Sequence, residues 1–350
     1  MRLRRFAWLA WLARLSRFPR FCLADQWRAP VLRLASLLAL LPAAVVAEEP
    51  PPFLLQWGNG TGDGLPLYAV AVAADSSGAV YVSDYDNSRI QKYTRDGVFL
   101  GTWGAFGSGD GQFNFPWGMA IGANHTLYVA DRRNNRIQCF TDGGVFLSKW
   151  GALGSGDGQL HYPTDLALDA GGNLYVVDDF NDRIQKFTPG GTFLLKWGSR
   201  GTGDGQFQNP RGVAVDANGD VFVADVDNHR IQKFTHDGAF LQKWGSRGTS
   251  PGEFSFPTAV EVDRDGDVYV ADRYNSRIQK FTGTGALLAV WGTTGSGPGE
   301  LQGPQSVAVD LQGNVYVADY FNRRVQKYGW PTVPAQPVNW TTLKSRYRRP

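Results

Sequence analysis

A repeat of 47 residues constrains this chain more than any other feature. One tryptophan recurs at intervals of 46 and then 47 residues, and one aspartate recurs every 47 residues throughout. The positions are Trp57, Trp103, Trp150, Trp197, Trp244 and Trp291, and Asp84, Asp131, Asp178, Asp225, Asp272 and Asp319. A period in the forties indicates a solenoid or a propeller, so the next question is whether each unit is helical or built of strands.

A single unit answers this question. Residues 211–245 contain four short runs, GVAVD, DVFVAD, RIQKFT and AFLQKWG, in which apolar residues alternate with others. Val, Ile and Phe are frequent in these runs, and turn motifs such as Asn-Gly and Asp-Gly separate them, as in β-hairpins. Six copies predict an all-β, six-bladed β-propeller of four-stranded antiparallel blades. The copies lie at about 69–103, 116–150, 163–197, 210–244, 257–291 and 304–328.

The two ends of the repeat region predict how the ring closes. The last copy stops after three strands, at residues 323–329, and lacks the FLxxWG strand. The missing motif stands at the other end of the region, as FLLQWG at residues 53–58. We therefore expect the N-terminal strand to be the outermost strand of the sixth blade, which removes open sheet edges.

The repeated unit resembles the NHL repeat. Its pattern is P-x-G-V-A-V-D, then G-x-V-Y-V-A-D-x-x-N-x-R-I-Q-K-F, then G-x-F-L-x-x-W-G, and the resemblance covers residues 53–330. The first copy departs most, with Ala69 where the others have proline. The resemblance implies a six-bladed propeller used mainly as a binding platform. Among similar propellers, some are metal-dependent lyases with histidine ligands, and others bind RNA or recognise substrates of ubiquitin ligases.

Residues present in every copy are most simply explained by the fold that the copies share. Asp225 and Arg230 flank one tight loop and can pair across it, with Asn228 holding the turn; the alternative is a sixfold ring of ligands. The tryptophans are expected to pack between blades, with carbohydrate stacking as the alternative. The DRDGD segment at 263–267 resembles a calcium loop, but counterparts such as DANGD and DLQGN indicate an ordinary turn.

Function is therefore expected where the copies differ. Connections between antiparallel strands alternate between the two ends of a blade, so the loop between strands two and three shares a face with the loop that enters strand one. These loops are rich in Arg and aromatic residues, which binding surfaces favour. The predicted binding residues on this face are Trp117, Arg132, Arg133, Asp179, Phe180, Arg211, Arg273, Tyr274 and Tyr320. A solvated face without a ligand is the alternative.

Two further candidates interrupt the pattern of the first strand, which lies nearest the axis of a propeller. Asp165 and Glu261 stand where the other five copies have small residues. An acid at such a position either contacts water in the central channel or is costly to bury. Both are therefore predicted to belong to a binding site in the channel.

The sequence predicts no catalytic centre, metal site or cofactor. His125 and His236 belong to one end of the propeller and His161 and His229 to the other, so no three histidines converge on a metal. Cys139 lies on a peripheral strand, and no Ser-His-Asp or Cys-His arrangement is suggested. The expected function is a non-catalytic platform for a protein, peptide or glycan. The alternatives are a lyase-type enzyme with a channel site and a nucleic-acid-binding or ubiquitin-ligase-type recognition domain.

Charge and the two ends of the chain bear on partners and location. Residues 53–330 contain 23 Lys and Arg against 29 Asp and Glu, a net charge of −6 that weighs against nucleic acid. We expect a monomer, followed by a Pro-rich basic tail at 331–350. Residues 1–47 are typical of an export leader, with cleavage near Ala47 and a secreted or periplasmic product. The alternative is an uncleaved membrane anchor formed by residues 31–47.

Overall fold

The structure is a computed structural model that describes residues 48–58, 67–122 and 124–330. The predictions for the leader at 1–47 and the tail at 331–350 lie outside the described residues. Within the described ranges, no helix has the length and apolar character needed to cross a membrane.

The described residues form 24 strands in six four-stranded antiparallel sheets, which confirms the six-bladed propeller. Blade one consists of β2 (Ala69–Ala74), β3 (Val80–Asp84), β4 (Arg89–Tyr93) and β5 (Phe99–Trp103). Blade two consists of β6 (Pro116–Ile121), β7 (Leu127–Asp131), β8 (Arg136–Phe140) and β9 (Phe146–Trp150). Blade three consists of β10 (Pro163–Leu168), β11 (Leu174–Asp178), β12 (Arg183–Phe187) and β13 (Phe193–Trp197).

The other three blades follow the same plan. Blade four consists of β14 (Pro210–Val215), β15 (Val221–Asp225), β16 (Arg230–Phe234) and β17 (Phe240–Trp244). Blade five consists of β18 (Pro257–Val262), β19 (Val268–Asp272), β20 (Arg277–Phe281) and β21 (Leu287–Trp291). Blade six consists of β22 (Pro304–Val309), β23 (Val315–Asp319), β24 (Arg324–Tyr328) and, from the other end of the chain, β1 (Phe53–Trp57).

The N-terminal strand closes the ring as predicted. β1 pairs antiparallel with β24, with Phe53 opposite Tyr328. Just beyond this pair, the N–H of Gly329 donates to the carbonyl of Pro52 at 3.0 Å. The first and last strands of the propeller therefore form one hairpin-like pair, and blade six obtains its outer edge from the start of the propeller.

The tryptophan at the end of each outer strand packs between blades, as expected. The ring of Trp197 lies 5.8 Å from that of Phe234 in the following blade. It also covers Gly238, where an added Cβ would lie 2.7 Å from the indole. Apolar clusters in the core likewise combine side chains of adjacent blades. Each blade is thus buried by its neighbours, as in other repeat architectures.

The Asp–Arg pair that recurs in every blade binds another loop as well as its own turn. Arg230 Nε donates to Asp225 Oδ2 at 2.7 Å, and the side-chain amide of Asn228 donates to the same oxygen at 2.9 Å. The remaining guanidinium N–H groups bind backbone carbonyls of the glycine-rich loop at 198–207 that enters the blade: Thr202, Gly203 and Gln206. Blades two, three, five and six repeat this pattern. The glycine-rich segments are therefore part of the scaffold.

The DRDGD segment forms the turn between the first two strands of blade five, as predicted. Asp263 Oδ1 accepts the backbone N–H groups of Asp265 and Asp267 at 3.0 and 2.9 Å. Asp216 in blade four accepts two N–H groups of its own turn in the same way. In both blades, this aspartate therefore has a structural role, because it accepts the backbone N–H groups of the turn.

Candidate functional site

The two sets of loops predicted to form a binding face lie together. In each blade, the loop between strands two and three donates a backbone hydrogen bond to the segment just before strand one. In blade three, for example, the N–H of Phe180 donates to the carbonyl of His161 at 3.2 Å. We call the surface formed by these two sets of loops the loop face.

Short 3-10 turns present the variable residues of this face. In four blades the loop between strands two and three begins with such a turn: Arg132–Asn134, Asp179–Asn181, Arg273–Asn275 and Tyr320–Asn322. The asparagine at the third position donates to the aspartate that ends strand two, as Asn181 does to Asp178 at 2.9 Å. This asparagine fixes the turn and leaves the first two positions to carry the residues that differ between blades.

Trp117 lies within a cluster of cations and aromatic rings. The guanidinium carbon of Arg132 is 4.8 Å from the Trp117 ring, and that of Arg211 is 5.9 Å from it. Arg132 is also 4.8 Å from the ring of Tyr162, so its guanidinium group lies near two aromatic rings. Tyr85 packs edge-on against Trp117 at 5.2 Å. Side chains from four consecutive blades therefore meet here.

Asp179 supplies a buried negative charge beside this cluster. Its Oδ2 lies 3.3 Å from Arg132 Nη2, and its side chain is almost fully buried. Burial raises the pKa of Asp179 to about 6, against the opposing effects of Arg211 and Arg132. Burial likewise lowers the pKa of Arg211, and the positive charges of Arg273 and Arg132 lower it further, whereas Asp179 raises it. Asp179 thus lies beside Arg132 and Arg211, while Arg273 acts on Arg211.

Two cavities open beside Arg211. The first, which we call the side cavity, has a volume of about 300 Å³ and is lined by Arg132, Asp179, Phe180, Asp182, Arg200, Gln208, Asn209, Arg211 and Asp227. The second, which we call the mouth cavity, has a volume of about 130 Å³ and is lined by Val70, Tyr85, Trp117, Arg211, Arg273, Gln305 and Tyr320. The structure thus brings together seven of the nine residues predicted on the loop face.

The other two predicted residues, Arg133 and Tyr274, lie on the same face outside these cavity walls. Arg133 is exposed and stacks on Phe115, with its guanidinium carbon 4.2 Å from the ring. Tyr274 is 58% exposed and lies 5.1 Å from the guanidinium carbon of Arg273. Phe180, which lines the side cavity, is equally exposed. Whether these side chains bind a ligand stays a prediction.

Asp165 and Glu261 line the central channel. Residues of the first strand of all six blades enclose a cavity of about 200 Å³, and both acids are among them. Asp165 Oδ2 accepts the backbone N–H of Val213 at 3.1 Å, and its other oxygen lies over Gly118, where a Cβ would clash with it. Glu261 lies two positions further along its strand and makes no side-chain hydrogen bond among the described residues.

The surroundings of these two acids favour their neutral forms. Burial raises the pKa of Asp165 to about 7, although backbone N–H groups oppose the shift. Burial raises the pKa of Glu261 to about 8, and the negative charges of Asp165 and Asp263 add to the effect. Both side chains retain some solvent contact, so they line the channel cavity and are not enclosed in the packed interior.

Sequence reasoning did not single out Tyr162. Tyr162 immediately precedes the proline of strand one and has a φ of 56°, an uncommon value for a bulky residue. Phe115 and Phe256 occupy the same position with φ values of 60° and 57°. The residue before the proline also varies between copies, and including it with the other variable positions would have found Tyr162.

The described residues contain no group of three or more His, Cys, Asp or Glu side chains arranged to hold a metal ion. His229 has a structural partner instead, because its Nδ1 accepts the backbone N–H of Phe256 in the next blade at 3.2 Å. Burial, followed by the charge of Arg247, lowers the pKa of His229 and favours this neutral acceptor form.

The repeat fixes the family. The family model of the NHL repeat matches residues 67–93, 113–140, 207–234 and 254–281, in blades one, two, four and five. The chain is an NHL-repeat protein. No curated protein sequence matches it.

The NHL-repeat protein is similar in fold to solved propellers of low sequence identity. A protein of unknown function from Bacteroides thetaiotaomicron is 19% identical with a TM-score of 0.60, over 78% of this chain and 72% of that one. A streptogramin B lyase is 16% identical with a TM-score of 0.53, over 73% and 77%. A catalytically inactive virginiamycin B lyase from Staphylococcus aureus, solved with quinupristin, is 16% identical with a TM-score of 0.53, over 75% and 80%. These similarities show the fold alone.

Proposed function

We propose that this NHL-repeat protein is a non-catalytic platform that binds a protein or peptide on its loop face, outside the cytoplasm. The observation that carries this proposal is the convergence of Trp117, Arg132 and Arg211 beside two cavities. Aromatic and arginine side chains concentrated in a partly desolvated patch are typical of binding hot spots. The Asp–Arg pairs that recur in the blades hold turns and loops of the fold. The patch around Trp117 is instead formed by residues that differ between blades.

Photo-cross-linking tests the platform directly. Benzoylphenylalanine at Tyr274, which is exposed on the loop face, should give a covalent adduct when the protein is expressed in its native cell. The same probe at His236, exposed in a turn between strands three and four on the opposite face, is the matched control. Equal adducts from both positions, or none from position 274, would contradict the proposal. So would an adduct that nuclease treatment removes, because it would identify a nucleic acid.

The lyase alternative rests on fold similarity. Incubation of the purified protein with quinupristin, followed by mass spectrometry, checks it in one assay. We expect the compound to be recovered unchanged, since the described residues offer no metal-holding cluster. Enzymatic conversion of quinupristin would overturn the non-catalytic proposal.

Export is the second part of the proposal and rests on the apolar segment at 34–47. N-terminal sequencing of the protein recovered from its native cell should begin at or near Glu48. A protein that keeps its first 47 residues in a membrane fraction would favour the anchor instead.

A further inference from the structure

The mouth cavity combines positive charge with an absence of any acidic side chain in its wall. Arg211 and Arg273 are the charged residues among those that line it. Among the described residues, no carboxylate lies within ion-pair distance of either arginine. The nearby Asp179 belongs to the side cavity and is already paired with Arg132. The cavity thus contains two guanidinium groups that lack a counter-ion at hydrogen-bond distance.

Hydrogen-bonding groups in this wall are also unsatisfied. Arg273 Nε is buried without an acceptor among the described residues. Gln305, only 5% exposed, lines the same cavity, and its Oε1 is buried without a donor from the described part of the chain. A buried polar atom without a partner costs free energy that a bound ligand can recover. A donor and an acceptor in one small cavity call for a ligand group able to engage both.

Aromatic rings hold the arginines in place. The guanidinium carbon of Arg273 lies 5.1 Å from the ring of Tyr274 and 5.7 Å from that of Phe321. Arg211 lies 5.9 Å from the Trp117 ring. Stacking uses the faces of a guanidinium group and leaves N–H groups along its edge available for an oxygen ligand. In Arg211 these are the two Nη groups, because its Nε donates to Asn209 Oδ1 at 3.4 Å. The arginines are therefore prepared for an anion at little entropic cost.

Size and charge favour a carboxylate on an organic group. The cavity has a volume of about 130 Å³, and Trp117, Tyr85 and Tyr320 form apolar parts of its wall. A planar carboxylate matches the guanidinium edge through parallel N–H···O bonds, and its carbon chain can pack on the rings. The adjoining side cavity carries Asp179 and Asp227 beside Arg132, so a ligand that spans both cavities meets both signs of charge. A peptide satisfies this pattern better than a polyanion.

We infer that the mouth cavity binds a carboxylate of the peptide or protein ligand, either its C-terminus or an acidic side chain. This inference rests on the proposed function and names the chemical group that the loop face recognises. The carboxylate accepts N–H groups of Arg211 and Arg273, while an N–H of the ligand backbone donates to Gln305 Oε1.

Matched small probes test this inference on the full-length protein. Nuclear magnetic resonance of the arginine Nε–Hε groups follows titration with N-acetyl-glycylglycine and its C-terminal amide, and with N-acetyl-aspartyl amide and N-acetyl-asparaginyl amide. We expect at least one acid to bind at least tenfold more tightly than its neutral partner and to shift the signals of Arg211 and Arg273. The acid that binds more tightly identifies the source of the carboxylate.

Variants assign the site. Arg273→Gln and, separately, Arg211→Gln should each weaken binding of the preferred acid at least tenfold, and Arg273→Lys should weaken it less. The control is Arg323→Gln, which removes an exposed arginine that stacks on Tyr68 outside the cavity and should change binding by less than twofold. Equal binding of acid and amide, or full binding in both cavity variants, would overturn the inference. Tighter binding of inorganic phosphate or glucuronate at the same residues would also overturn it.

The two proposals fail in different ways. If acid and amide bind alike while the probe at position 274 still captures a partner, the carboxylate inference fails and the platform stands. If the acid binds as expected while position 274 captures nothing, the platform proposal fails and the anion site stands.

Discussion

At the residue scale, the structure separates arginines that hold the fold from arginines that face a cavity. Arg230 is buried and bridges Asp225 to three carbonyls of another loop. Arg211 is partly exposed and has no ion pair among the described residues. The sequence alone suggests this division, because Arg230 recurs in every blade and Arg211 does not. The sequence could not show the three hydrogen bonds from Arg230 to backbone carbonyls, because these bonds join residues 24 to 28 positions apart.

The scaffold role predicts a large loss of stability for Arg230→Gln. The change leaves the carboxylate of Asp225 buried without its cation, so we expect the free energy of unfolding to fall by about 3–5 kcal/mol. Arg211→Gln should cost less than about 1 kcal/mol, because Asp179 keeps Arg132 and readily takes up a proton. Urea denaturation of both variants measures the difference. Similar losses for the two would contradict this division.

Asp165 and Glu261 should make stability decrease as the pH rises. Their folded-state pKa values of about 7 and about 8 exceed the unfolded values of about 4. The unfolded chain therefore loses these protons first, and the free energy of unfolding falls between about pH 4 and about pH 8. At about pH 8.5, the double variant Asp165→Asn with Glu261→Gln should be more stable than the wild type by several kcal/mol, since a pKa change of one corresponds to about 1.4 kcal/mol.

The difference should narrow toward about pH 3, where the wild-type acids are protonated in both states. Urea denaturation across this range measures it. Asp265→Asn, at an exposed turn position, is the control and should leave the pH profile unchanged. Parallel profiles for the wild type and the double variant would show that the two carboxyls ionise freely in the channel.

At the element scale, the N-terminal strand provides the sharpest link between sequence and fold. β1 was predicted from the FLLQWG motif because blade six lacked a fourth strand, and the structure pairs it with β24. The strand order, the turns and the shared face of the loops were predictable for the same reason, since six copies specify them repeatedly. The cavities were not predictable in detail, because each depends on single copies of residues such as Trp117 and Gln305.

Removal of residues 48–58 should destabilise the whole ring. The remaining chain exposes β24 as an edge and loses the packing of Trp57 against Tyr93 of blade one, where the rings lie 5.7 Å apart. We expect the melting temperature to fall by more than about 10 °C, since a few kcal/mol correspond to shifts of this size. Differential scanning calorimetry measures it.

Addition of the missing strand as a synthetic peptide provides the control. A peptide of residues 48–58 should raise the melting temperature of the truncated protein in a concentration-dependent way, because binding to the folded state stabilises it. A peptide of the same composition in scrambled order should not. A truncated protein that melts within a degree or two of the wild type would mean that β1 does not close the ring.

At the scale of the whole molecule, the way the ring closes implies that the chain termini could lie in any blade, at the turn between strands three and four. β24 and β1 already form the equivalent of a hairpin, with Tyr328 opposite Phe53 as Phe187 is opposite Phe193 in blade three. In blade three, residues 188–192 connect the pair, with the sequence TPGGT. The same five residues inserted between Tyr328 and Phe53 should close the turn of blade six, and new termini can be placed elsewhere.

A circular permutant that begins at Gly238 and ends at Asp237 should therefore fold. Its first strand, β17, would close blade four as β1 closes blade six in the natural chain, so every sheet keeps four strands. We expect one cooperative unfolding transition within about 5 °C of the wild-type melting temperature. Calorimetry and circular dichroism measure this transition. The control permutant opens between Asp227 and Asn228, where the turn holds Asp225, and should melt lower. Equal melting temperatures for the two permutants, or a first permutant without a cooperative transition, would show that stability does not follow from closure of the blades.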